Sequence, residues 1–190
     1  MEASNLRKWG IASAPLRRVA WLLPFAFALH ELEEWNIAAW YQRYWTNVDA
    51  ALVTQRNAWT WLVFASLVGF AWTALAARFR SARVMFHVLL VFFVAVFSHC
   101  FAHVYWQISL GAYAPGVVTA VLLVIPITFY VTVRAIRERL VSAFFPIALL
   151  VLTILPVLMV LRLGNRLPEG GMPMLRFSSW LADLFGIPTG

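Results

Sequence analysis

Histidine and glutamate side chains concentrate in two apolar stretches of this 190-residue chain. The first stretch carries one histidine and three glutamates, and the second carries two histidines four residues apart. These residues are His30, Glu31, Glu33, Glu34, His99 and His103. Imidazole and carboxylate groups are good ligands for divalent transition metals such as Zn, Fe or Mn. Without a metal they can transfer protons when burial brings their proton affinities near neutrality. The residue types therefore indicate a metal site or an acid–base site.

Helical geometry predicts which of these side chains face the same neighbour. At 100° per residue, His30, Glu33 and Glu34 lie within an arc of about 100°. Glu31 points about 107° away from the middle of that arc, so we expect it to pair elsewhere or to face a water-filled crevice. His99 and His103 share a face of the second stretch. His87 lies on another face, which favours local hydrogen bonding over a role in the site.

The composition indicates that these groups lie inside a membrane. Hydrophobic residues make up 63% of the chain and charged residues 12%, whereas an ordinary globular chain is about half apolar and about a quarter charged. Spans of about 20 apolar residues can cross a bilayer. The spans predicted here are about 19–40, 58–77, 84–106, 117–133 and 143–161. The sequence thus predicts an all-α, polytopic integral membrane bundle of about five transmembrane helices.

The predicted domain organisation is a five-helix transmembrane domain over residues 1–168 and an amphipathic tail over 169–190. The tail alternates apolar and polar residues but is too short to span, so we expect a C-terminal interfacial helix. Pro24, Pro126 and Pro156 fall inside predicted spans, where local kinks are expected.

The first span is exceptional because it carries acidic residues. Near a helix centre an acidic residue costs about 2.5–3.5 kcal/mol, and each large aliphatic residue or Phe returns only about 0.3–0.6 kcal/mol. This helix therefore needs partners in a bundle or protonated glutamates. Ionisable residues at such depth mark a functional site by default.

The positive charge follows the loops. The net charge is +7, and the Arg and Lys residues stand at the ends of the apolar runs, which indicates contact with lipid headgroups and excludes a nucleic-acid partner. Loops with four, three and three basic residues alternate with loops that have two and none. This pattern predicts a cytoplasmic N-terminus, and we expect a bacterial inner (plasma) membrane. An N-terminal run that imitates a secretory signal is expected to stay uncleaved, because the helical pattern continues beyond it.

Depth predicts that the two clusters meet. With a rise of about 1.5 Å per residue, Glu33 and Glu34 lie about 21–23 Å from the cytoplasmic end of their helix. His99 lies about 22–24 Å from the same end of its own helix, with His103 one turn beyond. The candidate metal ligands are His30, Glu33, Glu34, His99 and His103, and the candidate catalytic residues are Glu33, Glu34 and His30.

Residues 30–34, His-Glu-Leu-Glu-Glu, resemble the signature of the HXXEE-domain family of small polytopic membrane proteins. The resemblance covers roughly residues 20–135. It implies that His99 or His103 is the further downstream histidine of that family. A second patch, made of Tyr113, Pro115, Gly116 and Thr119, is also similar to the family. Asn57, at the start of the second span, is placed to join it. The family has no settled reaction.

The leading functional interpretation is a membrane-embedded metalloenzyme that acts on a lipid or another hydrophobic small molecule. Its metal would activate water or dioxygen. One alternative is a metal-free acid–base isomerase or cyclase of a hydrophobic substrate. A small transporter is a further alternative, because buried carboxylates also serve transport, although five spans without an internal repeat weaken it. A scaffold role would leave the buried acids unexplained.

Overall fold

The computed structural model describes residues 14–162 and 173–188, and within these ranges all regular secondary structure is helical. The first apolar segment consists of α1 (Leu16–Val19), α2 (Leu22–Glu33), a 3₁₀ turn (Glu34–Asn36) and α3 (Ile37–Tyr44). It is followed by α4 (Gln55–Ala77) and α5 (Ala82–Leu110). A continuous segment then comprises α6 (Val117–Thr119), a π-helical turn (Ala120–Val124) and α7 (Ile125–Arg137). The last helices are α8 (Phe144–Arg162) and α9 (Pro173–Leu184).

Three helical segments are long and apolar enough to cross a membrane. They are α4, α5 and the segment Val117–Arg137, and α8 contributes a shorter apolar stretch, Phe144–Met159. Large apolar side chains on these helices are exposed, among them Leu67 at 62%, Leu122 at 65% and Leu152 at 65%. Exposure of so much apolar surface to water would be unfavourable, whereas contact of the same surface with lipid is not. The predicted all-helical membrane fold is confirmed.

The first apolar segment is broken where a single helix was predicted. The 3₁₀ turn separates α2 from α3, and it changes the backbone hydrogen-bonding pattern at membrane depth. The carbonyl oxygen of Trp35 accepts a hydrogen bond from Trp59 Nε1 at 2.9 Å and another from Gln55 Nε2. A backbone carbonyl in hydrocarbon needs such partners. Side chains of α4 thus stabilise the break by bonding the carbonyl that it leaves free.

Proline positions explain a second irregularity. Pro126 lacks the N–H that would bond the carbonyl four residues earlier, and its ring crowds that carbonyl. The wider π-helical turn ends two residues before Pro126, at Val124, so the irregularity lies beside the proline where one was predicted. Pro24 instead falls in the first turn of α2, where proline is tolerated.

Helix α5 lies at the centre of the bundle. Phe86, Leu89 and Leu90 on it are 0% exposed, and the helix packs against α4, α7 and α8. Helix α2 packs between α4 and the π-helical turn. These contacts hold the histidines of α5 beside the glutamates of α2.

Polar contacts bring three chain segments together at one end of the bundle. Arg17 Nη2 donates to the carbonyls of Phe79 and Arg80 at 2.6 and 2.7 Å, and Arg134 Nη2 donates to the carbonyl of Ala14 at 2.9 Å. Residues 14–17, the α4–α5 turn and the end of α7 therefore share one end of the bundle, as the alternation of basic loops predicts.

Helix α9 folds back onto the bundle. It packs along α4, and Arg56 Nη2 pairs with Asp183 Oδ1 at 2.7 Å. Arg56 Nε also donates to the carbonyl of Ile187 at 2.7 Å. The amphipathic tail was predicted to lie in the interface, and part of its apolar face, including Leu175, is buried against the bundle.

Candidate functional site

A cluster of one carboxylate and three imidazoles lies where α2 meets α5. Glu34 Oε1 lies 3.1 Å from His30 Nε2 and 3.1 Å from His103 Nε2. His103 Nε2 in turn lies 3.1 Å from His99 Nε2. His30, Glu34 and His103 are at most 8% exposed. The structure brings together the residues that shared depth predicted to meet, with the exception of Glu33.

The hydrogen bonds on the far side of each ring set the histidine tautomers. His103 Nδ1 donates to the carbonyl of Pro115 at 2.6 Å. Thr119 Oγ1 donates its proton to a Glu33 oxygen at 2.5 Å, so it accepts from His30 Nδ1 at 3.1 Å. A neutral imidazole carries one N–H. The Nε2 atoms of His30 and His103 are therefore left with lone pairs.

The Nε2 atoms of His30 and His103 both approach Glu34 Oε1, each at 3.1 Å. His30 Nε2 and Glu34 Oε1 are close enough for an ion pair, yet neither makes an aligned hydrogen bond among the described residues. The donor atoms of His30, Glu34 and His103 all lie within 4.8 Å of one another. Neighbouring ligands on one ion at about 2.1 Å are about 3.0–3.4 Å apart. The three atoms thus have the chemistry and nearly the spacing of a metal-ligand set.

Gly116 lets a loop approach this cluster. Its φ of +87° is a left-handed conformation that L side chains rarely adopt. A Cβ there would lie 2.8 Å from His30 Cε1 and 2.9 Å from Glu34 Oε1. Glycine at this position therefore allows the loop that carries Pro115 to reach His103.

Glu33 points away from the cluster, toward the start of α6. Its Oε1 accepts from Val118 N at 3.0 Å and from the Tyr113 hydroxyl. Its Oε2 accepts from Thr119 N at 2.6 Å and from Thr119 Oγ1. A carboxylate in this position accepts hydrogen bonds from the first N–H groups of a helix and is stabilised by the positive end of the helix dipole. Glu33, predicted as a metal ligand and catalytic residue, lies outside the convergent donor set.

Tyr113 lies in the loop between α5 and α6. Partial burial and its hydrogen bond to the Glu33 carboxylate raise the pKa of the Tyr113 hydroxyl above its ordinary value. The hydroxyl therefore keeps its proton and remains a donor. The second family-like patch has a defined structural use, since its residues hold Glu33, His30 and His103.

A cavity of about 360 Å³ adjoins the cluster. Its walls come from α2, α3, α4 and α5, with residues of α9 at one side. Among the described lining residues, the acidic and imidazole groups are Glu31, Glu34 and His99. His99 is exposed, and its position in the lining makes it accessible from the cavity. An apolar molecule in this space would lie beside the cluster.

Glu31 is a site residue that the helical-arc argument set aside. It is 6% exposed, it lines the cavity, and its Oε2 has no hydrogen-bond partner in the described ranges. Glu31 and Glu34 are three residues apart and about 60° apart on a helix. That spacing was the signal that could have placed Glu31 beside the site.

Two further predicted polar residues have local partners. His87 Nδ1 donates to the carbonyl of Arg83 at 2.7 Å, and its ring packs on Phe145. His87 thus lies outside the cluster, as its helix face predicted. Asn57 Nδ2 donates to the carbonyl of Leu52 at 2.9 Å in the turn before α4, so its amide group supports that turn.

Fold and site together define a helical membrane bundle with a buried His/Glu cluster. The chain belongs to the family described as protein of unknown function with HXXEE motif, whose model matches residues 21–131. The name-giving residues are His30, Glu33 and Glu34. The predicted family resemblance is thereby confirmed. No curated protein and no solved structure matches the chain.

Proposed function

We propose that the protein is a membrane-embedded metalloenzyme that acts on a lipid or another hydrophobic small molecule. The observation that supports it is the convergence of donor atoms from His30, Glu34 and His103 within 4.8 Å of one another, where His30 Nε2 and Glu34 Oε1 make no hydrogen bond among the described residues. Three electron-rich atoms at this spacing repel one another unless a cation lies between them. An adjoining apolar cavity provides room for the substrate.

Nitrogen and oxygen donors of this type suit Zn²⁺, Fe²⁺ or Mn²⁺. When bound, such an ion supplies Lewis-acid activation of water or dioxygen. The chain's own residues orient the donors. The Pro115 carbonyl and the Thr119 hydroxyl fix the two ring orientations, in the way that outer hydrogen bonds commonly orient metal-binding histidines.

His99 connects the cluster with the cavity. It contacts His103 at 3.1 Å and also lines the cavity. In this position it can complete the ligand set as a fourth donor. Glu33 acts as a positioning residue in this arrangement, because it holds Thr119, which in turn holds His30.

A metal-free acid–base isomerase is the second candidate. The observation that favours it is that Glu31 and His99 both line the cavity. A protonated Glu31 could add its proton to one alkene carbon, and neutral His99 could remove a proton from the allylic carbon bonded to the other alkene carbon; transfer of that proton from His99 back to Glu31 would reset the pair. The double bond would move, and the substrate's atoms and charge would balance.

The proposed location is a bacterial inner membrane with the N-terminus in the cytoplasm. The support is that Arg17, the α4–α5 turn and the basic end of α7 lie at one end of the bundle, and basic loops favour the cytoplasmic side. The cluster and its cavity then open in the outer half of the bilayer.

Metal analysis of protein purified in mild detergent tests the metalloenzyme proposal. We expect about one divalent ion per chain in the wild type. His103→Asn should lose it, because asparagine can keep a donor near the Pro115 carbonyl but removes the ligand nitrogen.

His87→Asn is the matched control, since it changes a histidine of the same helix outside the cluster. It should keep the ion. The folded protein is also supplied with each of the three ions. If the wild type and both variants then bind equal and negligible amounts of metal, the metalloenzyme proposal is refuted and the isomerase becomes the favoured candidate.

A further inference from the structure

Glu31 is a buried carboxyl group for which the described protein provides no counter-charge. Its Oε2 lacks a hydrogen-bond partner, and the residue is 94% buried, since 6% is exposed. Buried carboxyl groups without partners are costly and therefore rare. The convergent donor set of His30, Glu34 and His103 does not include Glu31. A metal ion at that set would leave the Glu31 carboxyl group unmatched.

The charged side chains in the lining of this largely apolar cavity are acidic. Neither arginine nor lysine occurs among the described residues of its wall, whereas Glu31 and Glu34 both do. An anionic head group, such as a carboxylate or a phosphate, would lie beside the Glu31 carboxyl group with no arginine or lysine of the described wall to pair with it. A cationic head group would find a hydrogen-bond acceptor in Glu31 Oε2 and would supply the counter-charge that a buried carboxylate needs.

The remaining wall suits the apolar part of such a molecule. Aliphatic and aromatic side chains make up most of the lining, and aromatic faces attract cations as well as apolar groups. The aromatic members are Phe27, Tyr41, Trp61, Phe64 and Phe92. A volume of about 360 Å³ falls in the range for one small ligand.

We propose that the cavity binds a hydrophobic amine, with its ammonium group hydrogen-bonded to Glu31 and its apolar body among the aromatic side chains. This substrate class rests on the proposed function in one respect, namely that the cavity is the substrate pocket. It does not depend on which metal the neighbouring cluster holds.

Photolabelling of the purified full-length protein tests the head-group preference. Three alkyl diazirines of equal chain length are used, carrying an amine, a hydroxyl or a carboxylate group. Equal chains match the apolar part of the three probes, and mass spectrometry identifies the labelled peptides. The amine should label cavity residues such as Leu62 and Met174, and unlabelled dodecylamine should suppress this labelling. The carboxylate should not label these positions.

Variants of the chain extend the test. Glu31→Gln should weaken competition by dodecylamine at least about tenfold, because a hydrogen bond to a charged group is lost. Glu138→Gln, an exposed change outside the cavity, should behave as the wild type. Ala95→Phe, which fills exposed space on the cavity wall, should reduce labelling by all three probes.

Equal labelling of the cavity by amine and carboxylate in the wild type would overturn the proposal, and that comparison needs no variant. Unchanged competition in Glu31→Gln would overturn it as well. Metal content is measured in the same samples. Amine-selective labelling of protein that binds no metal would refute the metalloenzyme and keep this inference. Metal-loaded protein without head-group preference would refute this inference and keep the metalloenzyme proposal.

Discussion

Gly116→Ala is expected to disable the proposed metal site through a single methyl group. The new Cβ would lie 2.8 Å from His30 Cε1, and ordinary contact begins at 3.4 Å, so the neighbouring atoms must give by about 0.6 Å. Metal–ligand distances tolerate only about 0.2 Å. Because the second close contact is Glu34 Oε1 itself, two proposed ligands are displaced together. We expect metal affinity to fall by at least about 100-fold.

Gly111→Ala separates this clash from backbone strain. Gly111 also has a positive φ, +60°, but a Cβ added there would have no neighbouring atom within 4 Å. Both variants should lose about 1–2 kcal/mol of stability from the left-handed backbone, measured as a lower thermal midpoint. Chelator competition then gives the metal affinity of each variant. If Gly116→Ala bound metal as tightly as Gly111→Ala, the contact of this loop with the ligands would be refuted.

Three more outcomes are expected. Glu34→Gln should abolish metal binding, whereas Glu33→Gln should keep most of it and lower the thermal midpoint, because Glu33 caps α6; identical metal loss would return Glu33 to the ligand set. Thr119→Val should weaken metal affinity about 10- to 100-fold in chelator competition, and Thr119→Ser should restore it. In a Cys100→Ser background, a cysteine placed in residues 78–81 should react with impermeant reagents only from the cytoplasmic side, and reaction only from outside would reverse the orientation.

The helices could be predicted from the sequence because lipid imposes a simple rule. A backbone in hydrocarbon must bond to itself, so runs of about 20 apolar residues become helices. The predicted spans 58–77 and 84–106 lie inside α4 and α5, which extend only a few residues further. The break at Glu34–Asn36 could not be predicted, because it depends on donors that Gln55 and Trp59 bring from another helix.

Part of the candidate site followed from spacing and depth. The four-residue interval between His99 and His103 gives a shared face, and equal depth brings that face to His30 and Glu34. Which side chain meets which neighbour did not follow. A helical wheel gives the direction of Glu33 or Glu31 from its own helix, but the positions of α6 and of the cavity come from long-range packing.

The motif spacing now has a physical reading. Around α2 the order of side chains is Glu33, His30, Glu34 and Glu31, separated by about 60°, 40° and 60°. These four directions meet three neighbours. Glu33 faces the start of α6, His30 and Glu34 face α5, and Glu31 faces the cavity.

This order ties the three tasks together mechanically. If Glu33 is bonded to Val118 and Thr119, the rotation of α2 about its axis is fixed. That rotation sets the directions of His30 and Glu34. Because these residues lie within about one helical turn of Glu33, their directions can change little relative to that of Glu33. A histidine followed by two adjacent glutamates at this interval therefore holds the helix with one carboxylate and presents the other beside the imidazole. Exchanging the two tasks would require α2 to turn by about 100°, which would break every contact that Glu33 makes with α6. The adjacent glutamates are thus chemically identical and structurally distinct.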